Sequence, residues 1–165
     1  MALEIEKRIL LKKFPKKTEF SETHIIEQYY GPTGRLRRSE ILIKGKTKRC
    51  KPTLIVKYVR TKKKLISKGV NQEIEVEISK SAFNKEVKKC TRCITKTRYI
   101  KKVGKYKWEV DVFNGLNLII AEIEVKTKRE LKTVKIPNFI KSEMIIDVTG
   151  IKQFSNFSLS WKKKI

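Results

Sequence analysis

Carboxylates recur at alternate positions in four stretches of the chain: Leu3-Glu4-Ile5-Glu6-Lys7-Arg8, Glu73-Ile74-Glu75-Val76-Glu77, Glu109-Val110-Asp111-Val112 and Glu122-Ile123-Glu124-Val125. They hold nine of the 17 acidic residues. Successive side chains of a β-strand point to opposite faces, so each stretch sorts its acids to one face and its apolar residues to the other. Two readings follow. The acids form the wet face of an antiparallel sheet, or they form a site. Like charges on neighbouring strands repel unless cations intervene, yet a chain with 41 lysines and arginines keeps choosing acids here. Carboxylate oxygens gathered without histidine are hard ligands, suited to Mg²⁺, Mn²⁺ or Ca²⁺ rather than zinc. Arg35, Arg37, Lys96 and Arg98 repeat the alternation with cations. Carboxylates and guanidinium groups lining one cavity match what a metal–phosphate complex needs: metal ions bridge some phosphate oxygens and arginine forks bind the others.

The elements that must position these residues are mostly strands. The pattern predicts strands near 3–9, 24–30, 35–43, 54–63, 72–78, 95–100, 106–113 and 118–126, with turns at Gly31-Pro32-Thr33-Gly34, Gly104 and Asn114-Gly115. Residues 12–22 read as a loop, 44–52 as a basic loop and 64–71 as a turn containing Gly69. The spacing predicts a helix over 79–89, capped by Ser79 with Phe83 and Val87 on one face, and a short helix over 128–134. The count is seven or eight strands and two or more short helices. Ile5, Ile74, Val76, Val110, Val112, Ile123 and Val125 form a consistent face opposite the acids. A small barrel ordinarily fills its interior with apolar side chains. This pattern is inverted and predicts a closed sheet with a polar lumen, its outer apolar face covered by helices and loops.

Composition bounds the rest. A length of 165 residues fits one domain. No apolar run reaches membrane-spanning length and the N-terminus is too charged for a secretory signal, so a cytoplasmic location and no membrane partner are expected. The net charge of +24 reads either as attraction to polyanions such as nucleic acid or polyphosphate, or as solvated lysine from biased coding; the lysine-rich end at 162–164 is expected to be solvated. Three cysteines leave an odd thiol and argue against a disulfide framework. Cys50, Cys90, Cys93 and His24 could formally supply four zinc ligands, but their spacing is unlike a paired zinc module. There is no glycine-rich phosphate loop. The aromatic residues fall in apolar or turn contexts that require no base-stacking role.

In order along the chain, Glu4-Ile-Glu6-Lys-Arg8, Ile26-Glu-Gln28-Tyr, Gly34-Arg35-Leu-Arg37, Thr61-Lys-Lys63 and Glu73-Ile-Glu75-Val-Glu77 resemble motifs of one family. So do Lys96-Thr-Arg98-Tyr99, Trp108-Glu-Val-Asp111, Ala121-Glu122-Ile-Glu124, Val148-Thr149-Gly150 and Ser155-Asn156. The chain resembles the CYTH family, the triphosphate tunnel metalloenzymes that include class IV adenylate cyclase and thiamine triphosphatase. That resemblance spans nearly the whole chain. It implies a single domain over 1–165 of mainly β, α+β character: a closed eight-stranded antiparallel β-barrel with a charged lumen and helices packed outside. It implies metal-dependent hydrolysis of a triphosphate-bearing small molecule: inorganic tripolyphosphate or a nucleoside or thiamine triphosphate. The alternatives are an RNA 5′-triphosphatase acting on an RNA 5′ end, a class IV-type cyclase, and a non-enzymatic polyphosphate- or nucleic-acid-binding module. The implied phosphate-binding residues are Arg8, Arg35, Arg37, Lys63, Lys96 and Arg98. Lys57 competes with Lys63, which carries the T-x-K spacing. The implied ligands for Mg²⁺ or Mn²⁺ are Glu4, Glu6, Glu122 and Glu124, supported by Glu73, Glu75 and Asp111; Glu4, Glu6 and Arg8 are the implied catalytic residues. Two departures stand out: Arg8 replaces the family's usual lysine, and Gln153-Phe154 replaces a basic-aromatic pair.

Overall fold

A computed structural model describes residues 2–162; Met1 and residues 163–165, and with them part of the lysine-rich end, lie outside the described residues. Eight antiparallel strands close on themselves: β1 (Ala2–Leu11), β2 (Glu22–Gly31), β3 (Gly34–Ile43), β4 (Thr53–Ser67), β5 (Val70–Glu77), β6 (Arg92–Val103), β7 (Tyr106–Phe113) and β8 (Ile119–Val125). The order around the wall is β6-β2-β3-β4-β5-β1-β8-β7, and the β6–β7 pairing shuts it. Helix α1 (Lys80–Val87) crosses between β5 and β6, and α2 (Lys128–Thr133) and α3 (Asn138–Lys141) follow β8. A short strand β9 (Met144–Asp147) pairs with β1, α4 (Asn156–Leu159) follows a 3-10 turn, and β10 (Trp161–Lys162) pairs with β6. No helix among the described residues is long and apolar enough to cross a membrane.

The strands run longer than the sequence pattern predicts. β4 continues to Ser67, through residues 64–67 that read as a turn, and β6 spans Arg92–Val103 instead of 95–100. Charged residues such as Lys62 and Lys64 weaken the hydrophobic alternation, but they fall at register positions opposite Ile74 and Gln72 of β5, where ladder hydrogen bonds extend the strand. The turn contracts to Lys68-Gly69. Gly69 has φ +71°, and a β-carbon there would lie 2.8 Å from Thr149 Cγ2.

The expected helix over 79–89 forms as α1. The Ser79 hydroxyl accepts from the Ala82 backbone N–H, and Phe83 packs on Leu36 and Cys90 outside the barrel. The larger core lies outside β1, β7 and β8, where Ile5, Ile9, Trp108, Val110 and Ile123 meet Phe20, Val134 and Ile140. The outer cover is one-sided, which corrects the expectation of a fully covered apolar face. Ile74 and Val76 of β5 are 46% and 47% exposed. The reason is topological: the post-β8 segment folds over β1, while α1 is only eight residues long and spends its apolar face on Leu36, Tyr29 and Tyr58.

Inside, the barrel is charged along most of its length and apolar at one end. Ile94, Phe113 and Ile120 lie two residues from Lys96, Asp111 and Glu122 and share their faces. They form a buried plug with Phe154 and Leu159 of the C-terminal segment. The plug sits beneath the charged lumen: the Lys96 ammonium lies 5.3 Å from the centre of the Phe113 ring.

Candidate functional site

The lumen is one continuous cavity of about 1860 Å³, larger than the roughly 300–1,000 Å³ of a usual small-molecule pocket. Strand parity delivers its wall. β1 contributes Glu4, Glu6 and Arg8; β3, Arg35 and Arg37; β4, Lys57, Thr61 and Lys63. β5 adds Glu73 and Glu75, β6 adds Lys96 and Arg98, and β8 adds Glu122 and Glu124. Residues from across the whole chain therefore meet in one space. Asp111 is the exception. It does not line the cavity but lies fully buried on the inner face of the barrel, beneath Lys96 and Arg98, which hold it.

That buried group fixes one side of the lumen. Arg98 donates from Nε to Asp111 Oδ1 at 2.7 Å, and from Nη2 to Asp111 Oδ2 at 2.8 Å and Glu122 Oε2 at 2.9 Å. The Lys96 ammonium pairs with the same Asp111 and also donates to Asn156 Oδ1 at 3.4 Å. Arg8 Nη2 stands 2.8 Å from Glu122 Oε1. Burial alone would raise the Asp111 carboxyl, but Arg98 and Lys96 hold it well below the usual carboxylate range. Burial likewise opposes ionisation of Glu122, but Arg8, Lys96 and Arg98 together keep that pKa below its ordinary value. Burial pushes the Lys96 pKa down, with Asp111 as the main counterweight. The backbone supports this side from outside: the Arg8 N–H donates to Thr149 Oγ1 at 3.0 Å, which gives the Val148-Thr149-Gly150 motif a positioning role.

A second cluster spans β3, β4 and β5. Arg35 Nη2 lies 3.5 Å from Glu73 Oε1 and 3.7 Å from Glu75 Oε2, and Arg37 Nη2 lies 3.3 Å from Glu75 Oε1. Thr61 joins them by accepting from Arg35 Nη2 at 3.2 Å. Lys63 pairs with Glu4 and lies 3.7 Å from Glu73. Lys57 also lines the lumen, opposite Ser39 in the β3–β4 register, and takes part in no ion pair among the described residues.

Of the carboxylates implied as metal ligands, two make no ion pair among the described residues. Among the described residues no ion pair falls on Glu6 or Glu124, and the two are directly opposed in the β1–β8 register. Burial, then Glu122 and Glu4, push the Glu6 pKa up to about 7. Burial and then Glu4 raise Glu124. Glu4 itself is raised because burial outweighs its Lys63 partner. Among the described residues no three acidic, histidine or cysteine side chains are drawn together as a ready-made metal cage. Mg²⁺ does not require one, since it is usually bound by one or two carboxylates plus substrate phosphate while keeping several waters. Glu6 and Glu124, all-oxygen and uncompensated, fit that mode.

The lumen also holds residues that the sequence reading did not assign to a site. Gln28 and Tyr30 line the cavity from β2, and Asn156 from α4. Gln28 is 1% exposed and its Oε1 has no hydrogen-bond partner. Alternation along β2 from His24 was the available signal, since His24, Ile26, Gln28 and Tyr30 share one face. Nothing local in the sequence places Asn156 beside Lys96.

The barrel is similar to several solved structures. The crystal structure of the inorganic triphosphatase NE1496 matches with a TM-score of 0.55 and 22% identity, over 96% of this chain and 95% of that one. The PH1819 protein from Pyrococcus horikoshii OT3 matches with a TM-score of 0.54 and 21% identity, over 78% and 82% of the two chains. A conserved hypothetical protein from Pyrococcus furiosus gives 0.51 and 22%, over 77% and 83%. This is the CYTH-type tunnel fold. No protein-family model matches the sequence, and no curated protein matches it. At these identities the likeness concerns the fold. The CYTH-type barrel expected from the motifs is present, closed by eight strands and carrying charge inside.

Proposed function

We propose that this protein hydrolyses the phosphoanhydride of a triphosphate-bearing small molecule inside its lumen, assisted by Mg²⁺ or Mn²⁺. The observation that carries this reading is the division of labour in one cavity. Lysines and arginines on β1, β3, β4 and β6 face the same space as two opposed carboxylates that make no ion pair among the described residues. The similarity of the fold to an inorganic triphosphatase supports the same reading.

In this mechanism Arg35, Arg37, Arg98 and Lys63 grip the phosphate chain, with Arg8 and Lys57 at its sides. Arginine forks match phosphate oxygens two at a time and add geometric specificity to charge. Their present partners, Glu73, Glu75 and Glu122, keep them oriented before substrate arrives. Asp111 acts from beneath the lumen, where it sets the positions of Lys96 and Arg98. Glu6 and Glu124, with Glu4 alongside, hold the metal. When bound, the metal supplies positive charge against the phosphate oxygens and a more acidic water. Glu4 pairs with Lys63 and also borders the uncompensated carboxylates, so it couples the metal side to the phosphate side. Catalysis then rests on positioning and charge stabilisation, as phosphoryl transfer requires.

The test is phosphate release from tripolyphosphate, ATP and 5′-triphosphorylated RNA, each with Mn²⁺, with Mg²⁺ and after chelation. Metal-dependent release from at least one small triphosphate is expected. Release from the RNA alone would make this an RNA 5′-triphosphatase, pyrophosphate with cyclic nucleotide from ATP would make it a cyclase, and binding without turnover would make it a binding module.

A further inference from the structure

Among the described residues two aromatic side chains of the C-terminal segment, Phe157 and Trp161, are left out of every core, and of the two Phe157 lines the cavity. In the C-terminal segment Phe154 and Leu159 pack against the apolar plug, whereas Phe157 between them is 53% exposed and lines the cavity. Its ring is nevertheless held in place. The Arg92 guanidinium lies over one ring face, 5.3 Å from the centroid, and Tyr30 meets the ring edge-on at 5.2 Å with an interplanar angle of 88°. Arg92 is itself anchored, donating from Nε to Ser160 Oγ at 2.8 Å and from Nη2 to the Ser160 carbonyl. An exposed phenylalanine on the surface ordinarily needs no explanation. This one is fixed by a cation over the ring and an aromatic edge, and it lines the cavity.

Its place relative to the phosphate-gripping residues gives it a use. Tyr30 is the register partner of Arg35 on β3 and of Arg92 on β6, so one side chain separates the arginine cluster from the Phe157 platform. We infer that Phe157, braced by Arg92 and Tyr30, is the subsite for a planar aromatic head on the substrate, so that the preferred triphosphates are esters carrying a base and not bare tripolyphosphate. This inference rests on the triphosphatase reading and deepens it. A base stacks on the open part of the Phe157 ring while Arg92 polarises the ring from the other side; such stacking accepts any π-face and is tolerant of base identity. The size of the cavity agrees, because a triphosphate chain alone leaves most of about 1860 Å³ empty. Sequence context gave the aromatic residues no base-stacking role; this inference assigns one to Phe157.

The experiment compares kcat/KM for ATP, CTP, thiamine triphosphate and tripolyphosphate in the wild type, Phe157→Ala and Phe157→Trp. The preference for the base-bearing substrates over tripolyphosphate should fall roughly tenfold in Phe157→Ala, the loss of about one stack, and return in Phe157→Trp. Loss for only the nucleotides or only thiamine triphosphate identifies which head the subsite serves. An unchanged preference in Phe157→Ala overturns the proposal. If the wild type turns over none of the four, the triphosphatase reading fails, and calorimetric binding of a non-hydrolysable ATP analogue and of tripolyphosphate decides the subsite separately. A roughly tenfold weaker affinity for the analogue alone in Phe157→Ala upholds it; equal effects on both ligands, or none, reject it.

Discussion

Glu6 of β1 and Glu124 of β8 stand side by side on the inner face of the barrel wall, two carboxylates in register with no ion pair on either among the described residues. Every other acid named as a metal ligand has a basic partner: Glu4 has Lys63, Glu73 and Glu75 have Arg35, Asp111 has Lys96, and Glu122 has Arg8. An opposed like-charged pair is destabilising in a sheet, so a cation taken up between them acts on a strain that the fold already carries.

Metal binding should therefore fail first at this pair. Glu6→Gln or Glu124→Gln keeps the shape and removes one charge. Turnover should fall by about two orders of magnitude or more, roughly 3 kcal/mol of transition-state stabilisation. The metal concentration for half-maximal activity should rise as well. Chelation should abolish wild-type turnover, and Mg²⁺ or Mn²⁺ should restore it. Wild-type turnover in both variants would remove these residues from the metal site.

The same pair sets a pH dependence in the metal-free protein. The folded-state pKa of Glu6, about 7, lies above the ordinary glutamate value of 4.5. The folded chain then holds this proton more tightly than the unfolded chain. The contribution is stabilising at the acid end and is lost as pH rises from about 4.5 to about 7. Asp111 and Glu122 have lowered values and act the other way, contributing stability that is lost as pH falls below the usual carboxylate range. Urea midpoints of metal-free protein should decline between about pH 5 and 7, and Glu6→Gln should flatten that decline. A wild-type profile that rises over this interval would contradict the assignment.

Asp111 should matter for the fold before it matters for the chemistry. Asp111→Asn leaves Lys96 and Arg98 without their common counter-charge beneath the lumen. Removing one partner of a buried pair costs about 3–5 kcal/mol, which for a domain of this size lowers Tm by roughly 6–20 °C. A thermal melt of the variant checks this. A shift within about 2 °C would mean that solvent compensates the cations.

Arginines inside the barrel and lysines outside it should separate cleanly. Arg35→Ala removes a lumen guanidinium and should lower kcat/KM for any triphosphate by roughly 10- to 100-fold, the worth of one charged hydrogen bond. Lys62, the neighbour of Lys63 on β4, has the opposite parity and is exposed away from the lumen. Lys62→Gln should change kcat/KM by less than about twofold. Equal losses in both variants would mean that general positive charge, and not the lumen geometry, governs the reaction.

Much of this was legible in the sequence because period-two alternation is a local property. Glu4-x-Glu6-x-Arg8, Arg35-x-Arg37 and Lys96-x-Arg98 each fixed which side chains share a face, and the structure turns those faces into one lumen. The capping serine of α1 was readable for the same reason: Ser79 and the Ala82 N–H it accepts are three residues apart.

Partnership was not legible, because it depends on register and closure. Alternation gave Asp111 the same standing as Glu6, but the β6–β7 pairing sets it opposite Arg98 and buries it, while the β1–β8 pairing sets Glu6 opposite Glu124 and leaves it uncompensated. Alternation also cannot tell a charged lumen from an apolar plug on the same face; Ile94, Phe113 and Ile120 become the plug because the C-terminal segment folds back beneath them. That return also brings Asn156 to Lys96 and Phe157 to Tyr30, 60 and 127 residues away along the chain. Which face each side chain takes was thus written locally, whereas which charge is neutralised, which is left open and what closes the barrel were decided by tertiary contacts between segments far apart in sequence.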